Sequence, residues 1–172
     1  LTMLQEALDA EMAWRIKEIS TFKMAAKTNS DAHKTFARAG VALVYAHWEG
    51  FIKRASEAYL SYVDNKGLIR RNLKSCFAVI GLKSQLAQLA GSKKSKPAIQ
   101  AFELILREMD KPAKMVMSSA IDTESNLTSE VFANIATSLD ISTTRYETKF
   151  NLIDESLVRR CNKVAHGENL DL

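Results

Sequence analysis

Residues 39–53 read Ala39-Gly40-Val41-Ala42-Leu43-Val44-Tyr45-Ala46-His47-Trp48-Glu49-Gly50-Phe51-Ile52-Lys53. No proline interrupts the stretch, and its apolar residues belong to rows spaced by three and four, the period of an α-helix. One row runs Val41, Tyr45, Trp48, Ile52, Ala55, Tyr59, Tyr62, and a second runs Phe36, Gly40, Leu43, His47, Phe51. Two apolar rows on one helix need neighbours on more than one side, so the pattern predicts the central element of a bundle. The helix extends back to Thr28-Asn29-Ser30-Asp31, whose short polar side chains suit a turn and a cap, and forward to Asn65-Lys66-Gly67, where Gly67 suits a left-handed cap. About 34 residues at 1.5 Å each make a rod of about 50 Å. Gly40 and Gly50 leave room for a neighbour to approach it closely.

The flanks repeat the helical period. Leu4, Leu8, Met12, Ile16, Ile19 and Phe22 form an amphipathic helix ahead of the central one. After it, Leu68 to Leu89 reads as a third helix closed by Gly91, and the basic stretch Gly91 to Pro97 reads as an exposed loop. Ile99, Phe102, Ile105, Leu106 and Met109 mark the buried face of the next helix, which Lys111-Pro112 ends. An irregular connection from Ala113 to Asn126 follows, then a short helix marked by Leu127, Val131, Ile135 and Leu139, and a Ser/Thr-rich turn through Thr144. The last helix is expected from about Asp154, as its cap, to Gly167.

Composition agrees. Six glycines and two prolines in 172 residues cannot punctuate a strand-rich fold, and 47% hydrophobic residues exclude a disordered chain. The expectation is an all-α fold in one domain over residues 1–172. With 24 Lys+Arg against 20 Asp+Glu the net charge is +4. Cys76 and Cys161 are too few for a disulfide framework and lack the neighbours of a zinc site, so a reducing, cytoplasmic setting is expected. The longest apolar stretch, Ala39 to Trp48, is half of the ~20 residues a membrane helix requires, so no membrane association is expected. A chain beginning at Leu1 reads as a piece of a longer product.

The last helix carries the chemistry. On a wheel of about 100° per residue, Cys161, Val164 and Ala165 share the apolar side with Leu157. Arg159, Asn162 and His166 lie together on the opposite side, with Arg160 and Lys163 between the two. His166 sits at the helix C-terminus, where the dipole favours imidazolium while Arg159, Arg160 and Lys163 oppose it, and a histidine so balanced suits proton transfer near neutral pH. The cations attract an anion, a phosphodiester fitting best.

The stretch Arg159-Arg160-Cys161-Asn162-Lys163-Val164-Ala165-His166-Gly167-Glu168 resembles the signature of the HEPN superfamily, an Arg, four to six residues and a His closing the last core helix. Residues 39–53 resemble the long helix of a prokaryotic HEPN group found in toxin–antitoxin and phage-defence loci. With Asn126 and the helix after it, the likeness covers nearly the whole chain. It implies an all-α bundle that forms a homodimer with two motifs facing across a cleft, and a metal-independent endoribonuclease with no cofactor. In that activity the RNA 2′-hydroxyl attacks the adjacent phosphorus and leaves a 2′,3′-cyclic phosphate. The resemblance makes His166 the acid or base, Arg160 the cation on the phosphate and Asn162 the orienting group, with Arg159 and Lys163 in support. It also implies a partner antitoxin protein, or, as the alternative, an inactive module that binds RNA, a nucleotide or a protein. In the commonest version of the motif the Arg directly precedes the Asn; here that position is Cys161.

Other residues admit two readings. His47 is either a hydrogen-bonded core residue or a support for the site. Glu49, a carboxylate among apolar neighbours, calls for a partner, and the Arg or Asn of the last helix is the expected one. Trp48 reads as core, and Tyr59 and Tyr62 as core, dimer anchors or base-stacking platforms. Lys66, Arg70, Arg71 and Lys74, and the loop Lys93, Lys94 and Lys96, form two cationic runs that are either solvated faces or strand contacts.

Overall fold

The computed structural model describes residues 2–28 and 32–169. Their secondary structure is helical, in the order α1 (Thr2–Thr28), α2 (His33–Asp64), α3 (Ser75–Ala78), α4 (Lys83–Gly91), α5 (Ser95–Met109), α6 (Met117–Ala120), α7 (Ser129–Ser138) and α8 (Arg159–Ala165). The turn assigned to Asn29-Ser30-Asp31 lies outside the described residues. Among those described, no helix is long and apolar enough to cross a membrane.

The central helix forms as its pattern requires. α2 packs against α1 on one side and against α8 and the turn of helix before it on another. The two glycines mark the contact with α1. A Cβ on Gly40 would stand 3.1 Å from the Phe22 ring, and one on Gly50 would stand 3.1 Å from Arg15 Nη2. Phe22 and Phe36 meet edge to face at 5.7 Å. At the other end α2 stops at Asp64, and Gly67 takes φ +59°.

The core gathers at the far side of α2, where Leu60, Ile80, Leu127 and Ile135 are fully buried. Leu127 is held by both of its backbone groups: its N–H donates to the Tyr45 hydroxyl at 2.9 Å, and its carbonyl accepts from Trp48 Nε1 at 3.1 Å. Trp48 also meets the Phe132 ring at 5.2 Å, so it is a core residue. Two aromatic residues one turn apart on α2 thereby fix the start of α7. Thr128 caps that helix, accepting from the Val131 N–H at 3.2 Å.

Four expectations are corrected. The segment expected as one helix from Leu68 to Leu89 is broken into a turn of 3₁₀-helix at Arg70–Asn72, then α3, then α4. The break falls at Gly81, with φ +82°, and is stabilised by Arg70, whose buried guanidinium donates to the carbonyls of Ala78 at 3.0 Å and Ile80 at 2.5 Å. Those carbonyls would otherwise end α3 unsatisfied. The connection from 113 to 126 contains a turn of helix, α6. The apolar face of α5 is exposed over most of its width: Ile99 is 56%, Phe102 50% and Leu106 51% accessible, while Ile105 and Met109 are half-buried and Ala101, one turn before Ile105, is buried. Finally, the last helix begins at residue 150, before Asp154.

Candidate functional site

Asp154 does cap a helix, but a different one. Its carboxylate accepts from the Ser129 N–H at 2.7 Å and the Ser129 hydroxyl at 2.6 Å, at the N-terminus of α7. The backbone around it widens into a π-helical stretch, Leu152–Val158, in which the Arg159 N–H donates to the Asp154 carbonyl five residues back. Such a widening shifts the angular phase of everything beyond it. Val158 becomes the buried residue of the turn that leads into α8, and Ala165, expected to face the core, is exposed.

α8 ends in a closed cap. The Gly167 N–H donates to the Val164 carbonyl at 3.1 Å and the Glu168 N–H to the Lys163 carbonyl at 2.9 Å, with Gly167 at φ +74°. This is the paired bonding of a Schellman motif, and its left-handed position needs a residue without a Cβ. No neighbouring atom crowds Gly167, so backbone conformation alone requires glycine there. His166 is the capping residue and is exposed. From α2, Arg38 Nη1 donates to the Glu168 carbonyl and ties down the chain just past the histidine.

The candidate side chains separate into two sets. Arg160 and His166 are exposed, and Asn162 and Lys163 are half-buried. Asn162 and His166 are i and i+4, adjacent on the helix surface. Among the described residues neither Arg160 nor Lys163 has a carboxylate partner. Arg159 does. It donates to Glu155 at 2.7 Å, one turn toward the N-terminus and away from His166, and the hydrogen bond to that carboxylate raises its pKa further. The arginine that the wheel places nearest His166 is thus engaged elsewhere.

Glu49 faces the last helix, but not the expected group there. Burial first, and the Glu49 carboxylate second, push the Cys161 thiol up, so the cysteine lies within electrostatic range of Glu49 where α8 packs on α2. On the other side stands Tyr45, whose hydroxyl is raised by burial and by Glu49, with the bond from the Leu127 amide opposing. The expected pairing of Glu49 with Arg159 or Arg160 is absent among the described ion pairs. His47 points the other way, two residues and about 200° around α2. It is buried against α1, with Nε2 3.0 Å from Glu18 and its ring edge-on to Trp14 at 5.2 Å, so the structure does not bring it to His166. An apolar groove of about 750 Å³ between α1, α2 and α7 is lined by His47 and by none of residues 159–168.

The cationic runs also divide. Arg70 is buried, Arg71 pairs with Asp110, Lys74 pairs with Asp140, and Lys66 stacks on Tyr62 at 4.6 Å. Each cation of that run thus has a partner within the chain. Lys93, Lys94 and Lys96 remain exposed. Among the described residues no group of His, Cys, Asp and Glu could hold a metal ion. Reading the sequence alone missed Arg38 and Tyr45. The available signal was a polar line at positions 34, 38, 45 and 49, spaced by four, seven and four along an otherwise apolar helix.

A bundle around one long helix, closed by a helix that ends on a histidine and a left-handed glycine, defines the class: an all-α HEPN-like fold. The family model described as RiboL-PSP-HEPN matches residues 10–172, and the chain belongs to that family. No curated protein and no solved structure matches the chain.

Proposed function

We propose that the chain is a metal-independent endoribonuclease that acts as a homodimer, the effector of a prokaryotic toxin–antitoxin or antiviral defence system. The observation that carries this reading is the placement of His166: an exposed imidazole on a closed cap, one turn after Asn162, on a helix whose Arg160 has no carboxylate partner among the described residues. Arg160 would bind a non-bridging oxygen of the scissile phosphate and offset the charge that builds on phosphorus. The 2′-hydroxyl gives up its proton as its oxygen attacks phosphorus, the bond to the 5′-oxygen breaks, and that oxygen takes a proton. One His166 accepts the first proton and the His166 of a second copy supplies the other, a pair of roles that two facing motifs can fill. Asn162 orients the imidazole from the preceding turn.

A specific observation favours a second reading, a module that binds RNA, a nucleotide or a protein without cleaving. The position directly before Asn162 is Cys161, half-buried, so the cation that most often stands there in related motifs is missing. Product analysis separates the two. RNA incubated with the protein in EDTA should yield 2′,3′-cyclic phosphate and 5′-hydroxyl ends, and a 2′-deoxy substitution at the cut site should block cleavage. RNA left intact by both the native protein and Cys161→Arg would favour the binding module.

A further inference from the structure

We infer that Lys34 and Arg38 form a phosphate-binding rail for single-stranded RNA beside His166, and this inference rests on the ribonuclease reading above. The contact of Arg38 with the Glu168 carbonyl joins residues 130 apart in sequence and fixes how the two helices run. Cys161 lies within electrostatic range of Glu49 while the Glu168 carbonyl accepts from Arg38, so α8, packed on α2, climbs toward its N-terminus. Lys34 is one turn further, about 6 Å along the axis past Arg38, beyond the point where α8 stops. Being i and i+4, the two cations share a face, and it is the face that α8 covers lower down with Tyr45 and Glu49.

The charge on that face is unbalanced. Residues 33–48 contain Lys34 and Arg38 and no carboxylate, and on the last helix Arg159 is held by Glu155, which leaves Arg160 and Lys163 against Glu168. Elsewhere the two signs nearly cancel, as 24 cations against 20 anions require. Among the described residues Lys34 is exposed and has no ion pair, and Arg38 has spent one of its five N–H donors on a carbonyl, which leaves its charge unopposed. Two unopposed cations at the end of α8 that carries His166 suit successive phosphates of a strand whose scissile linkage lies at the histidine. The contact is with the backbone, so it positions any sequence alike.

The test uses the His166→Ala protein and a 12-nucleotide RNA, with binding followed by fluorescence anisotropy across a range of salt. Each phosphate contact to a single strand contributes about 0.7 to the slope of log K against log salt. Lys34→Ala should lower that slope by about 0.7 and weaken binding roughly threefold at low salt. Arg38→Lys should keep the slope, and Arg38→Ala should lose it. In the active protein, Lys34→Ala should raise KM for the 12-mer and leave turnover of a dinucleotide unchanged. Unaltered slopes and KM in an enzyme that still cleaves would overturn the rail and leave the ribonuclease standing. A reduced slope in a protein that cleaves nothing would support the rail and remove the ribonuclease.

Discussion

The difference between Arg159 and Arg160 turns on a single carboxylate. Both satisfy the loose spacing to His166, and the helical wheel favours Arg159. Glu155 weighs against that preference, because it draws the Arg159 guanidinium toward the turn before and away from the capping residue. Such an exposed pair contributes little to stability, so its effect is on availability rather than on folding. Arg160→Ala should therefore lower kcat/KM for RNA by about 100-fold or more, the size of one lost electrostatic contact at a transition state. Arg159→Ala should lower it severalfold, through weaker backbone binding. Comparable losses in steady-state kinetics for the two variants would place Glu155 outside the working site. Nothing in the sequence marks Glu155 as the deciding group; it is one of several acids at helical spacing from an arginine, and only the position of the π-helical turn aims it.

At the scale of elements, the long helix was readable because its apolar rows are continuous and its end carries a left-handed glycine. The third helix was misread because local periodicity ignores what a buried arginine does. Arg70 looks like one more surface cation in a basic run, yet its carbonyl contacts let the chain break at Gly81. α5 was misread in the opposite sense. Its amphipathic pattern is real, but the apolar face lies on the outside of the α4–α5 hairpin. Of the candidate site, the sequence shows the cluster of His166, Asn162 and the cations of α8, because they sit within eight residues. Arg38 was not, since only tertiary packing brings residue 38 to residue 168. The π-helical stretch likewise carries a long-range contact, Asp154 on Ser129. Asp154→Ala removes two charge-assisted bonds from the first turn of α7 and should cost about 1–2 kcal/mol. For a chain of 150–250 residues this is a fall of about 2–8 °C in Tm, readable by circular dichroism, with Asp154→Asn losing less. An unchanged Tm would mean that packing, not the cap, sets the phase of α8.

Across the whole molecule, the polar and apolar surfaces are separated. His166 and its cations occupy the end where α8 meets the first turns of α2, while the large apolar groove opens on the α1 and α7 side. A modest overall charge conceals this arrangement, since the excess of cations is local. Two copies joined with their α8 ends together would double the basic surface and supply the two proton-transfer groups that the proposed reaction needs. The most direct measurement compares the native protein with His166→Ala on one RNA substrate in EDTA, at a concentration where sedimentation shows a dimer. The account predicts cleavage by the native dimer and its loss in the variant, with dimer and helicity unchanged. Cleavage that survives His166→Ala, or a native protein that cleaves as a monomer, would contradict it.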